Sequence, residues 1–307
     1  MSDSRSLLAV SDLDRERIEA VLTLTDEFRA VAARPIPKVP ALRGKTVANC
    51  FFEDSTRTRL SFEIAAKRLS ADTVNFSAKG SSVSKGESIR DTARTLVAMG
   101  VDAIVCRHAA PGTSRRIDGW VDVPVINAGD GAHEHPTQAL LDVATLMQVR
   151  DDLDGLDIVV VGDIDHSRVA RSNVTAFAMM GADVSICAPP TLLPAGVESW
   201  DCRVTHDLDQ ALASADVVYL LRMQRERIES DPVLPSIREY LDGYGLTAER
   251  ARRLGKDTLV MHPGPMNRGV EIASEVPELE NSLVEAQVAN GVAVRMAVLY
   301  LALAGTK

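Results

Sequence analysis

Residues 55–59 read Ser-Thr-Arg-Thr-Arg and lie between the apolar run "VANCFF" and an amphipathic helical pattern. One hydroxyl residue is enough to cap the start of a helix, yet here further hydroxyls and an arginine follow it. A helix N-terminus alone contributes about 0.3–1 kcal/mol to the binding of an anion, whereas each hydrogen bond to a charged partner contributes about 1.5–3 kcal/mol. Side chains must therefore supply most of the binding energy. The pattern predicts a site for phosphate, or for a phosphate-like dianion, formed by Ser55, Thr56, Arg57 and Thr58. The GxxxxGK[ST] motif is absent, so the site is not a P-loop.

Two more polar groups follow strand-like runs in the first half of the chain. Arg107 and His108 come directly after "DAIVC", and His135 and Gln138 follow "VPVI" at the predicted start of a helix. Taken singly, Arg107 is an ordinary surface charge and His135 an ordinary structural histidine. Together, beside a hydroxyl-rich helix start, they can direct hydrogen bonds at one carbonyl oxygen. In this interpretation His135 donates a hydrogen bond to a developing oxyanion and is not required to act as a base.

The second half of the chain carries arginines at comparable places. Arg168 begins a helix after "DIVVVG", and Arg222, Gln224 and Arg227 follow "DVVYLL". The planar fork of arginine matches a carboxylate, so two of them indicate a dicarboxylate site. A dinucleotide site is disfavoured because only Gly162 is present where the G-x-G-x-x-G fingerprint needs three glycines.

The loop "MHPGPMNRG" follows the last predicted strand and leaves two interpretations open. His262 could be catalytic, or the loop could be shaped so that its backbone carbonyls face a ligand.

These residues have to be positioned by alternating strands and helices. A helix is predicted over 11–33, capped by Ser11. The strand-like runs that follow are "KTVANCFF", "DTVNFS", "DAIVCR", "VPVINAG", "DIVVVGD", "DVSICAP", "DVVYLLR" and "TLVMHPG". Predicted helices at 58–70, 87–99, 114–121, 136–149, 168–180 and 207–214 separate them. Apolar strands that alternate with amphipathic helices indicate parallel sheets covered on both faces.

The fold class is therefore α/β, with two doubly wound parallel-sheet domains joined by interdomain helices. We place the first domain at 1–149 and the second at 150–284, with the hinge near Arg150. Residues 285–307 are expected to form a C-terminal helix that packs back on the first domain, since the tail is apolar nearly all round. A membrane anchor is the alternative for this tail, but Glu285, Gly291 and Arg295 interrupt it.

Composition narrows the class of protein. The chain has 307 residues, 46% of them apolar, and its apolar strand-like runs are far shorter than the roughly 20 residues of a membrane span. A net charge of −9 argues against nucleic-acid binding. The N-terminus lacks the pattern of a secretory signal, so we expect a cytoplasmic protein without a membrane partner. The four cysteines have no CxxC spacing and are expected to be reduced and mostly buried.

At this point the sequence resembles the aspartate/ornithine carbamoyltransferase superfamily. The matching stretches are "FFEDSTRTRLSFE", "SSVSKGES", "CRHA", "GDGAHEHPTQALLD", "VGDIDHSR", "LLRMQRER" and "HPGPMNRGVEI". The resemblance implies transfer of a carbamoyl group from carbamoyl phosphate to the amino group of L-aspartate in pyrimidine biosynthesis, with no cofactor and no catalytic metal. It also implies a homotrimer with shared active sites, in which Ser82 and Lys85 enter the site of a neighbouring copy.

Site roles carried over by the resemblance divide into three groups. The residues implied in catalysis are Arg57, Thr58, Arg107 and His135. The residues implied in binding carbamoyl phosphate are Ser55, Thr56, Arg57, Thr58, Arg107, His135, Gln138, Gly264 and Pro265. The residues implied in binding aspartate are Lys85, Arg168, Arg222 and Gln224. The resemblance also makes regulatory or dihydroorotase partner chains possible.

Two departures and three alternatives accompany this resemblance. Asp54 places an acid inside the phosphate motif and is expected to face solvent, while Arg59 is expected to face away from the site. "HPGP" replaces "HPLP", so a side-chain contact at Gly264 is lost and its carbonyl remains.

An ornithine-type enzyme is disfavoured because its SMG loop is absent and the acceptor strand ends in "RMQRER". A noncatalytic anion-binding homologue would have no use for His135 and Gln138 together, and a dehydrogenase lacks its glycine fingerprint.

Overall fold

The predicted alternation of strands and helices is confirmed in the computed structural model, which describes residues 5–77, 86–224 and 236–304. Its residues divide into two compact units. The first comprises Met1–Ala144 together with Ala289–Lys307, and the second is Thr145–Val288.

The first unit contains a four-stranded parallel sheet in the order β2-β1-β3-β4. Its strands are β1 (Thr46–Phe51), β2 (Asp72–Ser77), β3 (Ala103–His108) and β4 (Val125–Asp130). Every residue of β4 is buried, as expected for a strand with both faces covered. The core of this unit forms where Ala48, Ile104 and Cys106 pack against Ile117.

The first unit also contains helices, of which the first three start at side-chain caps. They are α1 (Arg15–Ala32), α2 (Thr56–Arg68), α3 (Ile89–Ala98), α4 (Thr113–Asp118) and α5 (Pro136–Leu146). The predicted helix over 11–33 was wrong at its N-terminal end. Asp14, not Ser11, caps α1 by accepting a hydrogen bond from the Arg17 N–H. Ser11 lies instead in a short 3-10 helix, Val10–Asp12. The carboxylate of Asp14 is also the better partner for a helix N-terminus.

The C-terminal helix α10 spans Val284–Leu303. It is the one helix of the described segments that is long and apolar enough to cross a membrane, and 67% of its most apolar 18-residue stretch is buried. Within the first unit the Tyr300 ring meets that of Phe28 edge-on at 5.8 Å. The Arg295 guanidinium lies 5.2 Å from the centre of the Phe62 ring. These contacts favour a core helix over a membrane anchor.

The second unit contains a five-stranded parallel sheet in the order β7-β6-β5-β8-β9. Its strands are β5 (Asp157–Val161), β6 (Asp183–Cys187), β7 (Arg203–Thr205), β8 (Val217–Leu220) and β9 (Leu259–Met261). Its helices are α6 (Arg168–Met179), α7 (Leu208–Ser214), α8 (Ile237–Tyr244) and α9 (Ala248–Arg253). Sequence reasoning missed β7, α8 and α9, which are too short for a repeating apolar pattern to stand out.

Candidate active site

The Ser-Thr-Arg-Thr-Arg stretch lies where β1 ends and α2 begins. Ser55 is the N-cap, and its Oγ accepts a hydrogen bond from the Thr58 N–H at 3.4 Å. A hydroxyl that accepts in this way keeps its own proton, so Ser55 can cap the helix and donate to an anion at the same time. The side chain of Thr58 is buried, whereas Thr56 and Arg57 are exposed. The start of α2 therefore presents one buried donor side chain, Thr58, and two exposed ones, Thr56 and Arg57.

Arg59 interacts with a charged residue further along α2, unlike Ser55, Thr56, Arg57 and Thr58. Its side chain is exposed, and its charge contributes to a lowered pKa at Glu63. The main cause of that lowered pKa is the hydrogen bond from Lys67, one turn further along the helix. Arg59 thus belongs to a charged stripe along α2. Its expected exclusion from the chemistry stays a prediction.

Arg107 is the next-to-last residue of β3 and lies beside the end of β1, in register with Phe51. Its Nη2 donates to Glu53 Oε1 at 2.8 Å, and its Nη1 donates to the Ala128 carbonyl at 3.2 Å. Only 13% of the side chain is exposed. The guanidinium is therefore fixed at the carboxyl edge of the sheet, and an incoming phosphate has to compete with Glu53 for it.

His108 has a different role from its neighbour. Its Nδ1 accepts a hydrogen bond from the Ala110 N–H at 2.8 Å. Burial lowers the pKa of this imidazole below its ordinary value, so the ring favours its neutral form. His108 therefore holds the turn after β3 and supplies no cation to the candidate site.

His135 and Gln138 lie at the beginning of α5, directly after the loop that follows β4. Both side chains are buried. Gln138 Nε2 donates to Asp142 Oδ1 at 3.0 Å, and Asp142 has no exposed surface. An ionised carboxylate is an acceptor only, so this bond assigns the amide nitrogen to Asp142. The amide oxygen is then the atom of Gln138 that can meet a ligand.

A buried cation lies near Asp142. Burial lowers the pKa of Arg295 to about 10, and the charge of Asp142 opposes that shift. Arg295 Nη1 donates to the Gly291 carbonyl at 2.9 Å. Sequence reasoning did not identify this pair. Two signals were available: Asp142 lies one helical turn after Gln138, and Arg295 is a charge inside an apolar helix that needs a counter-charge.

The sheet order brings these groups to one edge. Strands β1, β3 and β4 are neighbours and run parallel, with Cys106 paired to Asn127. Their carboxyl ends therefore lie side by side, which is where ligands bind in doubly wound sheets. The residues at this edge of the first unit are Ser55, Thr56, Arg57, Thr58, Arg107, His135 and Gln138.

The second unit has an equivalent edge at the ends of β5 and β8, which pair from Ile158–Val217 to Val161–Leu220. Arg168, the first residue of α6, is buried there, and Arg222 is half-buried. Gln224 Nε2 donates to the His166 carbonyl at 2.8 Å. Arg168, Arg222 and Gln224, three of the residues predicted to bind a dicarboxylate, thus share one edge of one sheet.

The carboxylate of Asp163 holds the backbone at this edge, and its side chain is completely buried. It accepts hydrogen bonds from the His166 N–H at 3.2 Å and from the Gln224 N–H at 3.3 Å. His166 Nδ1 also lies 2.8 Å from Oδ1. The turn before α6 and the segment after β8 are therefore held by one carboxylate.

Gly162 explains why a single glycine follows β5. Its φ is +132°, and a Cβ here would lie 3.0 Å from the Leu221 carbonyl oxygen and 3.0 Å from the Tyr240 hydroxyl. A side chain would separate the ends of β5 and β8. The glycine is needed for close packing of the two strand ends, independently of any nucleotide.

The two interpretations of His262 can now be separated. Its side chain is fully buried, its Nδ1 accepts from the Gly264 N–H at 2.8 Å, and its Nε2 faces Glu271 Oε1 at 3.3 Å. Both ring nitrogens are thus used inside the protein, so His262 shapes the loop. Gly264 has φ +60° and precedes a cis peptide bond to Pro265. Ser82, Lys85 and Arg227 lie outside the described residues.

Comparison with known proteins gives two family-model matches along the chain. Residues 5–148 match the aspartate/ornithine carbamoyltransferase carbamoyl-P binding domain, and residues 154–302 match the Asp/Orn binding domain of the same family. The aspartate carbamoyltransferase catalytic subunit of Acidothermus cellulolyticus is 59% identical over 98% of this chain and 93% of its own.

Solved structures show the same likeness. Aspartate transcarbamoylase from Trypanosoma cruzi, in complex with N-(phosphonacetyl)-L-aspartic acid, superimposes with a TM-score of 0.87 at 30% identity, over 97% of this chain and 95% of its own. Ornithine carbamoyltransferase from Pyrococcus furiosus gives a TM-score of 0.87 at 29% identity, over 99% and 98%. Backbone similarity alone therefore does not separate the two acceptor specificities.

Proposed function

The chain belongs to the aspartate/ornithine carbamoyltransferase family, and we propose that it transfers the carbamoyl group of carbamoyl phosphate to the α-amino group of L-aspartate. The products are N-carbamoyl-L-aspartate and phosphate, as in de novo pyrimidine biosynthesis. The observation that carries the choice of acceptor is the pair of arginines, Arg168 and Arg222, at the ends of neighbouring strands. Two guanidinium forks match the two carboxylates of aspartate and do not suit the cationic side chain of ornithine. The high identity to an aspartate carbamoyltransferase supports the same choice.

The donor substrate is assigned to the edge of the first sheet. Ser55, Thr56, Arg57 and Thr58 bind the phosphate group, assisted by Arg107. Thr58, Arg107 and His135 donate hydrogen bonds to the carbamoyl oxygen. Gln138 accepts from the carbamoyl amine through its amide oxygen, because Asp142 already holds the amide nitrogen. The carbonyls of Gly264 and Pro265 are further acceptors for that amine.

The reaction is an acyl transfer that needs no covalent enzyme intermediate. The neutral α-amine of aspartate attacks the carbonyl carbon, so a C–N bond forms and the oxygen gains negative charge. Three donors stabilise that oxyanion, and the loss of one such donor typically lowers the rate about 10²–10³-fold. The C–O bond to phosphate then breaks, and the departing phosphate takes the proton of the amine. Holding both substrates in attack geometry supplies much of the remaining acceleration.

Phosphate release tests this proposal. Purified protein with carbamoyl phosphate should release phosphate when L-aspartate is added and should not respond to L-ornithine. Release with ornithine alone would overturn the acceptor assignment. The absence of turnover with either amino acid would favour a noncatalytic anion-binding protein.

We further propose a homotrimer in which Ser82 and Lys85 of one copy enter the site of the next, and in which Lys85 binds aspartate. Apolar side chains on α2 and on the edge strand β2 support an interface there, since Leu60, Ile64 and Val74 are 46%, 41% and 43% exposed. A native mass three times the 33.1 kDa of one chain is expected. The same measurement with added regulatory or dihydroorotase chains tests for those partners.

A cytoplasmic location is part of the same proposal. The four cysteines are free thiols, and three of them are buried in the two cores. Proteins with unpaired thiols are typical of reducing compartments. Fractionation of the source cells would test the location directly.

A further inference from the structure

The loop after β9 is closed by a single carboxylate oxygen. Glu271 Oε1 accepts a hydrogen bond from the Asn267 N–H at 2.5 Å and faces His262 Nε2 at 3.3 Å. Because His262 Nδ1 accepts from the Gly264 N–H, the proton of a neutral ring is on Nε2 and is donated to Glu271. The side chains of His262 and Glu271 are 0% and 1% exposed. Water therefore cannot replace either partner without a structural change.

A second link leads from this loop to the acceptor-binding segment. Asn267 Nδ2 donates to the Met223 carbonyl oxygen at 3.0 Å. Met223 lies between Arg222 and Gln224, and its own side chain is buried against Tyr240 and other apolar groups.

The backbone of this short segment is thus held at successive residues. Asn267 binds the carbonyl of Met223, and Asp163 binds the N–H of Gln224. These two groups belong to the same peptide unit, so the two bonds fix its rotation. The direction of that peptide determines where the side chains on both sides of it point.

We propose that Glu271 and Asn267 are positioning residues for the acceptor. Glu271 fixes the backbone of Asn267, and Asn267 ties this loop to the segment that carries Arg222 and Gln224. The inference rests on the proposed function, because it assigns these groups to substrate binding. A displacement of about 1 Å at such groups can change a rate by about 10²-fold.

Two asparagines offer a matched test. Asn267→Ala removes the bond to the Met223 carbonyl, whereas Asn281→Ala removes a similar bond to the Thr258 carbonyl at the opposite end of β9. Both variants should lose thermal stability to a similar extent. Only Asn267→Ala should raise the KM for aspartate, by about fivefold to tenfold, the effect expected for one lost hydrogen bond. The dissociation constant of carbamoyl phosphate measured without aspartate should not change in either variant.

Glu271 offers a conservative pair of variants. Glu271→Gln keeps an oxygen that can accept from both His262 and Asn267, so its KM for aspartate should stay within about threefold of wild type. Glu271→Ala loses both bonds and should raise that KM by more than tenfold. If the alanine variant does not fold, the comparison of the two asparagine variants still decides the proposal.

The outcomes separate this inference from the function on which it rests. Wild-type protein that turns over aspartate, with equal aspartate KM values in Asn267→Ala and Asn281→Ala, would overturn the positioning role alone. Wild-type protein with no turnover of any acceptor would overturn the proposed function, and the positioning role with it.

Discussion

Replacing Asp142 with asparagine is expected to flip the side-chain amide of Gln138, so that its oxygen and its nitrogen exchange positions. In the wild-type protein, one oxygen of Asp142 accepts from Gln138 Nε2 at 3.0 Å while the charge of Arg295 acts on the same carboxylate. An amide has one oxygen, so the guanidinium and the Gln138 amide would then compete for it. The guanidinium should win, because hydrogen bonds that involve a charged group are the stronger ones. The new NH₂ group would face Gln138, which then accepts through its own oxygen and turns its NH₂ towards the substrate.

The size of this effect follows from the two kinds of hydrogen bond. Charged pairs contribute about 1.5–3 kcal/mol and neutral pairs about 0.5–1.5 kcal/mol, so the reversed orientation gains about 1 kcal/mol. That free energy corresponds to a preference of about fivefold. About one molecule in six would keep the productive orientation, and kcat/KM for carbamoyl phosphate should fall about sixfold. Arg295→Met in the same chain removes the competition and should restore kcat/KM to within about twofold of wild type.

Initial rates at saturating aspartate test this expectation, with acetyl phosphate as a competitor. Acetyl phosphate carries a methyl group in place of the amine, so its inhibition constant should be unchanged in Asp142→Asn. Asp102→Asn is the control, since Asp102 accepts from Lys45 and from the Thr46 N–H at the opposite end of β1. Wild-type kcat/KM in Asp142→Asn, or a double variant no better than the single one, would refute the reasoning.

The remaining predictions concern chemistry, packing and thiols. Arg57→Ala should lower turnover by at least about 10²-fold without loss of fold, because its side chain is exposed. Arg59→Ala should retain phosphate affinity. Equal losses of phosphate affinity and turnover in both variants would contradict the assignment of the phosphate site to Arg57. Gly162→Ala should destabilise the protein by about 1–3 kcal/mol in thermal or urea unfolding, whereas Gly243→Ala, in open space on α8, should be neutral or stabilising; the reverse order would contradict the packing argument. Burial raises the pKa of Cys202 to about 11, so its labelling by thiol reagents should be slow and should accelerate about tenfold per pH unit up to that pKa. The three buried thiols should react only on unfolding. A labelling rate of Cys202 that is independent of pH would contradict this expectation.

Much of the fold followed from the sequence because its signals are local. The apolar runs of β1, β3 and β5 are continuous, and each is followed by a glycine turn or by a hydroxyl cap. Parallel pairing then requires that the carboxyl ends meet at one edge, which places Arg107 beside the start of α2. The prediction of α1 erred by a few residues, because Asp14 and Ser11 are both acceptable caps and only the packed structure selects one.

The rest depended on contacts between residues distant in sequence. Nothing near Glu271 indicates that it closes a loop onto His262, and nothing near Met223 indicates a bond from Asn267. The Glu53 partner of Arg107 is 54 residues away in the chain. Buried polar groups must find partners wherever the fold provides them. Sequence patterns of short period do not carry that information.

Isotope transfer tests the central claim most directly. Carbamoyl phosphate labelled with ¹³C at the carbamoyl carbon is incubated with the protein and an equimolar mixture of L-aspartate and L-ornithine, and the products are followed by NMR. The label is expected to appear in N-carbamoyl-L-aspartate in step with phosphate release. Label in N-carbamoyl-ornithine, or label that leaves carbamoyl phosphate at the uncatalysed rate without reaching either amino acid, would contradict it.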